Sequence, residues 1–120
     1  MGMSVGQRVS ITCNAEFLVC PVCSSEYLHH DAVAIFNREG EDATDGLHVE
    51  VWGQALAADR NADEGNPSGR RDGVTITFWC EGCEATLQLE VVQIKGRTAL
   101  SWVRLANEVE DARPASLPDA

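Results

Sequence analysis

Two cysteine pairs constrain the fold of this chain more than any other feature of its sequence. "CPVC" at 20–23 and "CEGC" at 80–83 share the C-x-x-C spacing. Two intervening residues allow a tight turn to aim both sulfurs at one point, and two facing turns make a tetrahedral set of four thiolates. That ligand set suits Zn²⁺. The spacing predicts one metal site whose ligands are Cys20, Cys23, Cys80 and Cys83.

The two pairs start 60 residues apart (80 − 20), so tertiary folding must close the site around a long insert. A chain of 120 residues and 13.0 kDa forms one small domain with a modest core. Zinc binding is worth about 10–16 kcal/mol in finger peptides, which is comparable to the stability of a whole domain. We therefore expect a structural metal.

Other uses of the cysteines are less favoured. Disulfides are disfavoured because the cysteine count is odd and "MGMSVGQRVS" lacks the apolar region of a signal peptide, which predicts a cytoplasmic protein with no membrane segment. A thioredoxin-like CPVC needs a helix that starts at the motif, and it leaves the second pair unexplained. Iron remains open, because four tetrahedral thiolates suit either metal.

The remaining pattern predicts a mainly β fold. "VTITFWC", "ATLQLEVVQI" and "ALSWVRL" read as three strands joined by the second cysteine turn and a Gly96 turn, an antiparallel meander. The phase slip at Val91–Val92 predicts a β-bulge or a strand buried on both faces. Earlier, "DAVAIFNR" reads as one strand and "GLHVEVWGQAL" as another, with His48 facing solvent.

Domain limits follow from composition. Residues 1–105 are expected to form one domain, whose first 19 residues make a strand or extended arm with Cys13 as a buried thiol. The Gly- and Asn-rich stretch 59–73 predicts a long loop that is mobile or functional. The acidic stretch 106–120, with two prolines, predicts a flexible tail.

The two cysteine turns and the hairpin after Cys83 resemble the zinc ribbon group. This resemblance implies four cysteine ligands, one zinc and a three-stranded element over 74–105. In that group a glycine often follows the second cysteine of each turn, whereas Ser24 and Glu84 stand there in this chain. As a whole, the chain is also faintly similar to small uncharacterised proteins of bacterial phages and other mobile elements, a similarity that implies no known activity.

Other polar and aromatic residues offer secondary candidates. His29 and His30 could donate to a metal-bound thiolate, although an ordinary half-exposed pair is the simpler interpretation. Arg70, Arg71, Lys95 and Arg97 could contact phosphate or a partner's carboxylates. The three tryptophans could form a stacking platform, but core packing is more usual, with Trp79 expected to shield the metal from water.

The net charge and the lack of catalytic motifs restrict the classes of function that we expect for this chain. The formal charge of −10 disfavours a nucleic-acid partner, and residues 38–72 hold four arginines against nine acidic residues. Four thiolates leave no open metal position, and the chain has neither HExxH nor a deaminase-type H-x-E. The sequence therefore predicts a non-catalytic zinc module that binds another protein, with a phage accessory or inhibitor role as one variant. The alternatives are a nucleic-acid-binding ribbon and a rubredoxin-like electron carrier.

Overall fold

A computed structural model describes residues 3–106, and these contain nine strands and no helix. Seven strands form one antiparallel sheet, and the remaining two form a small separate hairpin. The predicted mainly β, antiparallel architecture is therefore confirmed. The strands are β1 Arg8–Ser10, β2 Cys13–Asn14, β3 Phe17–Leu18, β4 Leu28–Arg38, β5 Asp45–Trp52, β6 Ala55–Asn61, β7 Gly73–Cys80, β8 Thr86–Ile94 and β9 Arg97–Leu105.

The large sheet has the strand order β1-β9-β8-β7-β4-β5-β6. Strands β7, β8 and β9 form the predicted meander, and the second cysteine turn joins the first two of them. Lys95 and Gly96 connect β8 to β9 with φ angles of 50° and 80°. Positive φ at both turn residues gives the backbone twist that two-residue hairpins favour, so this connection suits Gly96.

One strand prediction needs correction, and one pair of alternatives is decided. The stretch 46–56, expected as one strand, is a hairpin in which Gly53, at a φ of 50°, turns β5 into β6. The β8 pairing runs without a register shift on either side, so the phase slip marks a strand with buried residues on both faces, such as Leu89 and Glu90. The bulge lies instead in β4, between His30 and Ala32.

The core lies at one end of the sheet. Trp102, Leu87, Leu89 and the buried cysteines Cys20 and Cys80 form one cluster there. The N-terminal arm covers this part of the sheet, because the side chains of Met3, Val9, Ile11 and Leu18 pack against the same cluster. The first cysteine turn follows directly from that arm, so core packing places it against the end of β7.

The predicted long loop is shorter than expected and well bonded. Strand β6 extends to residue 61 and β7 begins at 73, which leaves 62–72 as the connection. The Arg38 side chain, only 2% exposed, donates to the backbone oxygens of Ala43, Ser68 and Arg71 and to the Asp63 carboxylate. One buried guanidinium therefore fastens this loop to β4.

The predicted acidic tail lies outside the described residues from position 107 onward, so its flexibility and the domain boundary at 105 stay predictions. Between residues 3 and 106 the chain forms no helix that is long and apolar enough to cross a membrane.

Candidate metal centre

The two cysteine turns have the same backbone geometry. In the first turn the Ser24 amide donates to the Cys20 carbonyl at 2.9 Å, and in the second the Glu84 amide donates to the Cys80 carbonyl at 2.9 Å. Ser24 and Glu84 have φ angles of 69° and 63°, a conformation that glycine adopts without strain. The residues that depart from the zinc ribbon pattern therefore occupy the backbone conformation that favours glycine there.

These turns bring the four predicted ligands together. All four sulfurs lie within 4.8 Å of one another. The Sγ atoms of Cys20 and Cys83 are 3.8 Å apart, and those of Cys23 and Cys80 are 3.6 Å apart. Tetrahedral coordination with bonds of about 2.3 Å places sulfurs about 3.8 Å apart, whereas a disulfide requires about 2.05 Å. The cluster could therefore hold a metal ion, and its cysteines are free thiols.

A glycine in the second turn permits this close approach. A Cβ atom added to Gly82 would lie 3.0 Å from the Cys23 sulfur and 3.1 Å from the Ser25 Cβ. A side chain at Gly82 would therefore press on Cys23 and Ser25 of the first turn, which would have to shift by a few tenths of an ångström. The sequence analysis missed this role, because the residues between two cysteines of a C-x-x-C pair carry no fixed identity from which it could be inferred.

The electrostatics of the thiols favour a cation. Backbone amides of Val22 and Gly82 donate to the sulfurs of Cys20 and Cys80, each at 3.3 Å. Burial raises the pKa of the Cys20 thiol to about 12, and burial also raises the pKa of Cys83. At Cys80 burial opposes ionisation, but amide donors and neighbouring thiols outweigh it and lower the pKa. The thiolate of Cys80 is thus stabilised, whereas ionisation of Cys20 and Cys83 is opposed. A bound divalent cation would favour ionisation of these thiols too, because it attracts their negative charge.

The two candidate histidines lie beside the cluster rather than in it. His29 bonds through Nε2 to the carboxylate of Glu81, a residue of the second turn, and its ring lies 5.9 Å from that of Trp79. His30 is exposed and pairs with Phe78 across β4 and β7. His29 therefore contacts the second turn through Glu81, while the ligand cluster itself consists of the four cysteines.

Three expectations about side-chain burial were wrong. Trp79 is 44% exposed, because its position in β7 points away from the core face on which Phe78 meets Trp102. Cys13 is exposed in the short β2–β3 hairpin, which stands outside the large sheet. His48 was expected to face solvent. Its ring bonds to the Glu50 carboxylate and stacks on the ring of buried Phe36, with the ring centroids 4.4 Å apart, so its side chain is only 14% exposed.

The four candidate basic residues lie at the opposite end of the sheet from the cysteines. Arg70 bonds to Asp42 and Glu41 at 2.8 and 2.9 Å, and Arg71 bonds to Glu41 at 3.0 Å. Arg71 and Gly96 line one cleft of about 300 Å³, so the turn that carries Lys95 and Arg97 adjoins this loop. A phosphate group would have to compete with carboxylates that already hold both arginines.

Comparison with protein-family models, with curated proteins and with solved structures finds no match for this chain. The four-cysteine cluster is therefore the feature from which a function is best inferred.

Proposed function

We propose that this protein is a non-catalytic zinc module whose metal is structural and whose activity is the binding of another protein. The observation that supports a metal is the convergence of Cys20, Cys23, Cys80 and Cys83 within 4.8 Å, at separations that match tetrahedral coordination. Zinc is the ion that such all-thiolate sites commonly hold, and iron is the alternative to be tested.

A structural role follows from the position of the cluster. Four thiolates fill a tetrahedral shell, so no coordination position stays open for substrate or water. Cys20 and Cys80 are also members of the hydrophobic core cluster. A bound ion would therefore cross-link the first turn to the end of β7, next to the side chains that hold the arm on the sheet.

Charge supports a protein partner over a nucleic acid. The formal charge is −10, and Arg70 and Arg71 already pair with carboxylates. The zinc ribbon resemblance, a phage accessory or inhibitor role and a cytoplasmic location stay predictions from the sequence.

Metal analysis of the purified full chain tests the proposal directly. We expect one zinc per chain and a colourless protein, and we expect Co²⁺ substitution to give the intense absorption of cobalt–thiolate bonds. Cys80→Ser should lose the metal and the cooperative unfolding transition. Cys13→Ser is the matched control, because Cys13 is exposed and lies outside the cluster.

Two results would contradict the proposal. A red protein that contains one iron per chain would favour the electron carrier instead. A Cys80→Ser variant with unchanged stability and no metal would show that the site is not structural.

A further inference from the structure

One face of the large sheet is apolar along two complete rows of paired residues. Each row crosses the six strands from β9 to β6, with cross-strand partners on the same side of the sheet. We name these twelve positions the apolar face. The first row is Leu100, Val91, Val74, Ile35, Val49 and Ala58, and the second is Trp102, Leu89, Ile76, Val33, Val51 and Leu56.

The opposite face of the same strands differs in character. There the paired positions include Glu90, Thr75 and Glu50 in one row and His48 and Asp59 in the next. Since alternate residues of a strand point to opposite sides, these charged side chains lie off the twelve positions of the apolar face, while Arg60 and Arg104 border it on the same side. An amphipathic sheet of this kind is stable when a second layer covers its apolar side.

The described residues cover only part of the apolar face. The N-terminal arm packs over Trp102 and Leu89, which are buried. Farther along the rows, side chains are open to solvent: Ile35 is 37% exposed, Leu100 50% and Leu56 64%. The valines between them are half-buried by their neighbours in the sheet.

The composition of residues 107–120 is poorly suited to covering this surface. Residues 107–120 follow β9, which ends at Leu105 opposite Thr86, next to the cysteine end of the sheet. That stretch has only Val109 and Leu117 as large apolar side chains, and it contains four acidic residues. Burying acidic side chains against an uncharged surface would be unfavourable.

We propose that a second copy of this chain covers the apolar face, so that two sheets stack face to face. Stacked sheets lie about 10 Å apart with interdigitating side chains, and a face without charged groups is complementary to itself. Leu56, Leu100 and Ile35 are the large exposed side chains of this face, so they would contribute to the contact between the two copies. In this arrangement Glu50, Glu90 and Asp59 point away from the partner.

Sedimentation of the metal-loaded full chain over a wide concentration range tests this arrangement. We expect a mass that rises from one chain of 13.0 kDa toward two. Added salt should strengthen the association, because it screens the repulsion between two chains of charge −10. A chain that stays monomeric at all concentrations and salt levels would overturn the proposal.

Matched charge substitutions identify the surface. Leu100→Glu and Leu56→Glu place a carboxylate in the interface and should each raise the dissociation constant at least about tenfold. Ile94→Glu is the control, because the substitution adds the same charge at a residue that is 43% exposed. Ile94 lies two positions from Val92, on the other side of β8 from the apolar face. Equal weakening by Ile94→Glu, or no weakening by Leu100→Glu, would show that another surface is used.

Contacts between labelled and unlabelled chains give an independent measurement on the unmodified protein. Intermolecular NOEs should reach the methyl groups of Ile35 and not those of Ile94. If the chain is a monomer and Leu100→Glu abolishes the binding of a different protein, the apolar face binds that protein. This result would also overturn the proposal. These results are separate from the metal test, since metal content does not depend on the number of chains.

Discussion

The two ends of the sheet are held together by different chemistry. At one end, four thiols converge around a space that suits a metal ion, and burial raises the pKa of Cys20 and Cys83. At the other end, the guanidinium of Arg38 supplies the central charge from within the chain and donates to three backbone oxygens and one carboxylate.

The two ends therefore differ in whether their stability depends on a group from outside the chain. Under the proposed function, the cysteine end would rely on an external ion to neutralise its thiolates, so its stability would depend on metal supply. The Arg38 end is complete once the backbone closes around it, because every bond uses atoms of the chain itself. We therefore expect perturbations of the cysteine end to have the larger effects, and the predictions below are ordered accordingly.

Metal removal should give the largest effect. Chelation under reducing conditions should abolish the cooperative unfolding transition of the full chain, since zinc binding in such sites is worth about 10–16 kcal/mol. Circular dichroism with and without chelator measures this loss, and added zinc should restore the transition. A chelated, metal-free chain that unfolds at the same denaturant concentration would reverse the proposed ranking of the two ends.

Replacing Arg38 should give the second-largest effect. Arg38→Met removes a buried cation and leaves the carbonyls of Ala43, Ser68 and Arg71 without their donor, at a cost of about 3 kcal/mol. Chemical denaturation of the metal-loaded protein measures this cost. Arg97→Met, at the exposed start of β9, should change stability little; an equal loss there would show that Arg38 has no special role.

Glycine after the second cysteine turn should stabilise the protein by a smaller amount. Glu84 has a φ of 63°, so Glu84→Gly relieves about 1 kcal/mol of backbone strain. Glu81→Gly removes the same charge at a position without positive φ and also loses the contact with His29, so it should give no such gain. Thermal unfolding of both metal-loaded variants checks this, and a destabilised Glu84→Gly chain would contradict the strain argument.

The exposed ion pair of Arg70 and Asp42 should give the smallest effect. A hydrogen bond from Arg70 lowers the pKa of Asp42 below its usual value of about 3.9. Because the folded-state pKa is the lower one, the stabilisation is fully present above the unfolded-state value and is lost as pH falls through the lowered value.

Comparing the unfolding of the original chain with that of Asp42→Asn isolates this contribution. The difference should stay constant from pH 7 to pH 5 and should shrink with added salt, as expected for an exposed pair. A difference that already disappears between pH 7 and pH 5 would contradict the lowered pKa.

Several parts of the molecule could be predicted from local pattern. The repeated C-x-x-C spacing indicated the four cysteines that converge, and alternation in "VTITFWC" together with Gly96 indicated the β7–β9 meander. Other parts could not. Gly53 divides one predicted strand into two, and Trp79 is exposed although its position next to Cys80 favoured a shielding role.

The sequence by itself determined the ligand types and the strand-forming segments, because both depend on neighbouring residues and on spacings of two to four positions. Only the tertiary structure decided that Gly82 allows the two turns to meet, that Arg38 is buried beneath a loop about 30 residues farther along the chain, and that the described residues cover two apolar rows only in part. Those outcomes depend on which distant segments pack against each other, and local residue patterns do not encode that information in readable form.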